Sequence, residues 1–202
     1  PQMQGSLSAT QDQIALVVTF NIVATAAATP LAGWLVARLG RRQVMVAAVI
    51  IFAIASLFCG MANSVEELVF YRVIQGASGA PLVPVSQAIV VDTYPKEQHG
   101  RVTAIWGVGV ILGPIIAPTL GGYLTETLNW RWVFFMILPF TIISLIGVIA
   151  FIHDREKPKR VNLDWIGFLA LSVSIASLQL MLDRGERNDW FDSIETILEL
   201  TF

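Results

Sequence analysis

The stretch YRVIQGASGAP, Tyr71 to Pro81, decides how the rest of the chain is read. It follows ELVFY and precedes LVPVSQAIVV, so Arg72 stands inside an apolar run of helical length. A charge placed there is expensive to bury, and its meaning depends on the solvent around the helix.

Composition identifies that solvent. Hydrophobic residues make up 55% of the 202 positions and charged residues only 14%, where soluble domains carry roughly 25%; mean hydropathy is +0.67. The charges are clustered and leave six long stretches between them: Gln13 to Ala37, Gln43 to Val65, Val73 to Val91, Val102 to Thr125, Trp132 to Ile152 and Trp165 to Leu182. Each approaches the ~20 residues an α-helix needs to cross ~30 Å of hydrocarbon. The fold class expected is an all-α membrane protein with six transmembrane helices.

Basic residues orient it. RLGRRQ, YPKEQHGR and HDREKPKRVN hold nine Lys and Arg, the alternate loops hold three, and Arg72 is the thirteenth. The positive-inside rule puts the nine in the cytoplasm, so the chain begins outside. Trp130, Trp132 and Trp190 fall at external span ends and Trp165 at an internal one, as interfacial anchors would. The opening PQMQGSLSATQDQ lacks the basic and apolar parts of a signal peptide. With both ends abrupt, the chain reads as part of a longer protein.

Enzyme chemistry finds no support. His99 and His153 lie in separate loops, the six stretches contain no His, Asp or Glu, and GVGVILG has the wrong spacing for a dinucleotide fingerprint. No catalytic or metal-ligating set is expected. Cys59, the single cysteine, reads as apolar filler.

Arg72 lies roughly 7.5 Å along the helix from Glu67 at 1.5 Å per residue. One reading has it snorkel outward to pair with Glu66 or Glu67. The other turns it into a polar cavity between helices, with Gln75, Gly76 and Gly79 on the same face. Intramembrane ionisable groups are functional by default, which favours the cavity. In the fourth stretch Gly107, Gly109, Gly113, Pro114, Pro118, Gly121 and Gly122 predict a helix bent around its prolines that packs closely on a neighbour. In GWLVARLGRR, Gly40 suits a tight αL turn among Arg38, Arg41 and Arg42.

Together these segments resemble the major facilitator superfamily, and within it the fourteen-helix drug:proton antiporters of the EmrB/QacA type. GWLVARLGRR, with Gly33, Arg38, Gly40, Arg41 and Arg42, is similar to the motif between helices two and three; RVIQGASGA is similar to the helix-four motif. GPIIAPTLGG, with Gly113, Pro118, Gly121 and Gly122, resembles the antiporter motif of helix five. NWRWVFFMILP and DWIGFLALS match the helix-six entrance and an inserted helix. Ala37 stands where the loop motif has Asp, which weakens that turn's acid–base lock or reroutes it to Asp92. Ala104 and Ala117 replace glycine, and Ile137 replaces Asn.

The resemblance implies a partial N-terminal bundle over residues 1–152 holding family helices two to six, a cytoplasmic linker over 153–164, and an extra helix plus the start of the next segment over 165–202. It implies proton-driven efflux of amphipathic small molecules by alternating access across the inner (cytoplasmic) membrane, with Arg72 and Gln75 in proton coupling. No cofactor beyond the proton gradient is implied. The partners implied are substrate, membrane lipid and, in a Gram-negative cell, a periplasmic adaptor, with no nucleic acid. Arg72 would act on a carboxylate outside this chain, since guanidinium does not deprotonate. A metabolite uniporter or symporter and a non-transporting helical subunit are the alternatives.

Overall fold

The structure, a computed structural model, describes residues 2–153 and 162–184. Among them every regular element is helical: α1 (Gln2–Leu7), α2 (Gln11–Ala28), α3 (Leu31–Leu39), α4 (Arg41–Met61), α5 (Val65–Gly79), α6 (Leu82–Thr93), α7 (His99–Thr127), α8 (Trp132–Phe135), α9 (Ile137–Phe151) and α10 (Trp165–Arg184), with one 3-10 turn at Lys96–Gln98. Six helical segments are long and apolar enough to cross a membrane: Gln11–Ala28, Arg41–Met61, Val65–Thr93, Lys96–Thr127, Trp132–Phe151 and Trp165–Leu182. The protein is a multi-pass membrane protein. The 154–161 linker segment and Trp190 lie outside the described residues.

Helices begin where capping chemistry puts them, even where charge interrupts the apolar run. Thr10 Oγ1 accepts from Gln13 N at 3.3 Å while Gln13 Oε1 accepts from Thr10 N at 2.9 Å, a reciprocal box that starts α2. Ser64 Oγ accepts from Glu67 N at 3.2 Å and Glu67 Oε2 from Asn63 N at 3.0 Å, doing the same for α5. The third crossing segment therefore starts at Val65 rather than Val73 and takes Glu66, Glu67 and Arg72 into the helix. Acidic side chains in a first turn suit the positive end of the helix dipole.

Two helix interruptions fall at prolines. α7 keeps its helical assignment through Pro114 and Pro118, whereas Pro30 separates α2 from α3 and Pro81 separates α5 from α6. Near Pro30, which has no N–H to donate, Ala32 N turns to Thr29 O at 3.0 Å.

Two cores hold the bundle. One gathers Val17, Cys59, Ala62, Val65, Leu68, Trp130 and Phe134, joining α2, α4 and α5 to the start of α8. The other gathers Ala32, Met45, Val85 and Val148 from α3, α4, α6 and α9. Cys59 is fully buried in the first core, the apolar role its sequence context gives it. Trp130, at 4% exposure, is a core residue and not an interfacial anchor; Trp132 and Trp165 are exposed. The difference arises because Trp130 Nε1 donates to Ser6 Oγ at 2.7 Å, so α1 covers its ring.

Candidate functional site

Arg72 lies on α5, which packs against both α2 and α4. Its Nη1 donates to Gln75 Oε1 at 3.0 Å, one turn along the helix. Gln75 Nε2 donates across to Ser56 Oγ of α4 at 2.7 Å, and Ser56 Oγ donates to Phe52 O at 2.7 Å. Every donor in this ladder points away from the cation, so the arginine's polarity is relayed to a backbone carbonyl inside α4. Gln75 and Ser56 are buried, where a broken hydrogen bond costs about 1–3 kcal/mol.

The Arg72 guanidinium lies over the ring of Phe134 of α8, with Cζ 4.6 Å from the ring centroid. Arg72 Nε is buried and has no hydrogen-bond partner. Among the described residues Arg72 forms no ion pair, whereas Arg41 pairs with Asp92. Snorkelling to Glu66 or Glu67 is thus not the observed arrangement. Gln75 is hydrogen-bonded to α4, and Gly76 packs on α2. A recess of about 450 Å³ beside α5 is apolar, lined by Leu16, Phe20, Val69 and Phe70 among others, and excludes Arg72.

At Gly76 the backbones of α2 and α5 nearly touch. A Cβ there would overlap the carbonyl oxygen of Asn21 and sit 2.9 Å from Thr25 Oγ1. Asn21 Nδ2 donates to Arg72 O at 2.8 Å, so the residue that requires Gly76 also fastens the backbone of the arginine. Gly79 is less tight, with its nearest neighbour the Phe52 ring at 3.3 Å.

The loop residues form a second cluster. Gly40 adopts φ 90 and ψ 157, a conformation essentially restricted to glycine but distinct from the αL turn expected. It lets the chain pass directly from α3 into α4. Arg41 pairs with Asp92 at the end of α6, and Arg42 Nη2 donates to Ile149 O of α9 at 3.2 Å. Both arginines oppose the dipole at the start of α4, as Asp92 does at the end of α6, so local helix stability does not explain them. What they do is tie α4 to α6 and to α9. Arg38 stacks over Trp34 at 5.2 Å, and Gly33 meets nothing within 4 Å.

The glycines of α7 depart from the close contact expected of them. A Cβ added at Gly107, Gly109, Gly113 or Gly122 would meet nothing beyond its own helix within 4 Å, and one at Gly121 would meet only Val133, at 3.9 Å. No α7 residue is buried. The helix leans on α6 and α8, with Trp106 Nε1 donating to Ser86 Oγ at 3.2 Å. The Gly113, Pro118, Gly121 and Gly122 surface is therefore open among the described residues.

Sequence reading missed Ser56, Phe134, Asn21 and Arg131. Arg131 Nη1 donates to Gly60 O at 2.9 Å and Ala62 O at 2.6 Å, capping the C-terminus of α4. Ser56 and Asn21 are polar residues within apolar helices, but nothing in the sequence names the residues they meet. Phe134 carried no signal, being one aromatic among several.

Comparisons with known proteins agree with this arrangement. The family model described as Major Facilitator Superfamily matches residues 1–192. Multidrug export protein EmrB of Escherichia coli K12 is 38% identical over 199 residues, 98% of this chain and 39% of that protein. Fatty acid resistance protein FarB of Neisseria gonorrhoeae is 37% identical over 198 residues, again 98% of this chain and 39% of the relative. The chain thus spans about two fifths of the length of these relatives. In fold it is similar to an inward-facing, unoccupied bacterial homologue of the human lysosomal transporter Spinster, with TM-score 0.61 at 18% identity, covering 99% of this chain and 52% of that one. A helical membrane bundle with a half-buried helix-borne arginine, an Arg41–Asp92 tie between helix ends and a family match over nearly its whole length has one assignment: this chain belongs to the major facilitator superfamily.

Proposed function

We propose that the full-length protein exports amphipathic small molecules, drugs among them, across the inner membrane in exchange for protons. The observation that carries this reading is Arg72: a permanent cation inside a crossing helix, oriented by Gln75 and Phe134, with a buried donor left unpaired. A carboxylate brought to that donor would be held ionised until protonation or substrate displaced it. Gln75 takes part by fixing the guanidinium through Nη1. The names of EmrB and FarB support export of toxic small molecules.

Alternating access would move one helical bundle against another around a central site. The open Gly113, Pro118, Gly121 and Gly122 surface of α7 suits close approach by a second bundle, and in the loop motif of Gly33, Arg38, Gly40, Arg41 and Arg42 it is Arg41 and Arg42, with Asp92, that act as the cytoplasmic tie. The proton gradient supplies the energy and no cofactor takes part. Membrane lipid surrounds the bundle, and a periplasmic adaptor is the partner in a Gram-negative cell.

Reconstitution of the full-length protein in proteoliposomes with a fluorescent cationic dye tests the proposal. Dye movement should follow an imposed pH gradient and stop when an ionophore collapses it. Movement indifferent to the gradient would support a uniporter.

A further inference from the structure

We infer that Phe134 is a positioning residue for Arg72, holding the guanidinium over its ring so that Nε is presented to its partner. This rests on the export reading above. The guanidinium has two supports of different kinds: Gln75 takes one corner through Nη1, and the Phe134 ring lies under Cζ at 4.6 Å. One corner bond alone leaves the group able to swing about it. A ring under the cation's centre is a second anchor, and the π-face attracts the cation without consuming any of its N–H donors. Nε is consequently left as a buried donor with no partner.

The ring is itself held with unusual thoroughness. Phe134 is 1% exposed and meets Trp130 edge to face at 6.2 Å. Arg131, between them, fastens the segment to α4 through Gly60 O and Ala62 O. A Cβ at Gly60 would overlap the ring of Phe135, so glycine there lets the segment that carries Phe134 lie against α4. The turn at the start of α8 is built to fix one ring under one cation.

Two measurements on the full-length protein decide the matter. The first is a thermal double-variant cycle with Arg72→Met and Phe134→Leu, which reads the contact whatever the protein transports. The Tm loss of the double variant should fall short of the sum of the single losses, because each single change already removes the shared contact. The second replaces Phe134 with mono-, di- and trifluorinated phenylalanine, which keeps ring shape while draining the negative π-face. Dye transport should fall stepwise, by about tenfold at the end of the series, while Tm changes little, and Phe134→Tyr should transport better than Phe134→Leu. Additive Tm losses would overturn the inference, as would a flat transport rate across the series in an active parent. A parent inactive under a pH gradient would count against the export reading alone, with the cycle still deciding whether Phe134 holds Arg72.

Discussion

Gln75 Nε2 donates to Ser56 Oγ at 2.7 Å across the α4–α5 contact, joining the helix that carries Arg72 to its neighbour by a buried side-chain bond. Ser56→Ala should remove that acceptor and leave a buried amide N–H unsatisfied, costing about 1–3 kcal/mol. Thermal unfolding of the purified full-length protein should show a lower Tm. An unchanged Tm would mean that water reaches Gln75 and that the contact is looser than described.

Gly76 and Gly113 should respond oppositely to alanine. At Gly76 the added methyl meets the backbone oxygen of Asn21, which no rotamer change can relieve, so a loss of about 1–3 kcal/mol is expected. At Gly113 nothing lies within 4 Å, and alanine should leave the fold intact. Expression level and Tm of the two variants, compared side by side, check this. Equal damage at both would show that Gly113 is in contact in the assembled protein.

The Arg41–Asp92 pair is half exposed, so its worth in stability should be small, about 0–1 kcal/mol. Its value should show in transport. Arg41→Ala and Asp92→Ala should each slow efflux with little change in Tm, and the exchanged pair Arg41→Asp with Asp92→Arg should recover part of the rate. Failure of the exchange to recover any activity while protein levels stay normal would argue against the tie.

Ser172 Oγ of α10 donates to Ala27 O at 2.9 Å, just ahead of the Pro30 interruption. Side chains that take up carbonyls near a proline break are one way a membrane helix tolerates it. Ala27→Cys with Ser172→Cys, in a Cys59→Ala background, should form a disulfide in high yield under mild oxidation. Ser172→Ala alone should cost only about 0.6 kcal/mol, the usual worth of such bonds in membrane bundles.

How much of this was legible in the sequence depended on the kind of signal. Span number and class followed from the charge-free runs, because hydrocarbon tolerates little else. Their limits did not: Glu66, Glu67 and Arg72 lay between the second and third runs on paper, yet a Ser64 cap and the helix dipole bring all three into α5. Pro30 and Pro81 mark helix breaks, while α7 runs continuously through Pro114 and Pro118, and the apolar runs alone did not tell these two kinds of proline apart. Arg72 and Gln75 were visible as polar residues one turn apart. Ser56, Phe134 and Asn21 were not, since the contacts that give them meaning cross between helices distant in the chain, and a periodic pattern carries no record of which helices meet. The glycine stripe of α7 was legible as composition, but its partner was not, because smallness shows only that something can approach.

The most direct measurement is proton-driven efflux by full-length Arg72→Lys, assayed beside the parent in proteoliposomes at matched reconstitution. Lysine keeps a positive charge but loses the planar fork that meets Gln75 Oε1 at 3.0 Å and stacks on Phe134 at 4.6 Å, and it can lose its proton. The account predicts normal insertion and loss of most gradient-driven dye movement. Parent-like transport by Arg72→Lys, with Arg72→Ala equally active, would contradict it and make the arginine a structural fixture of α5.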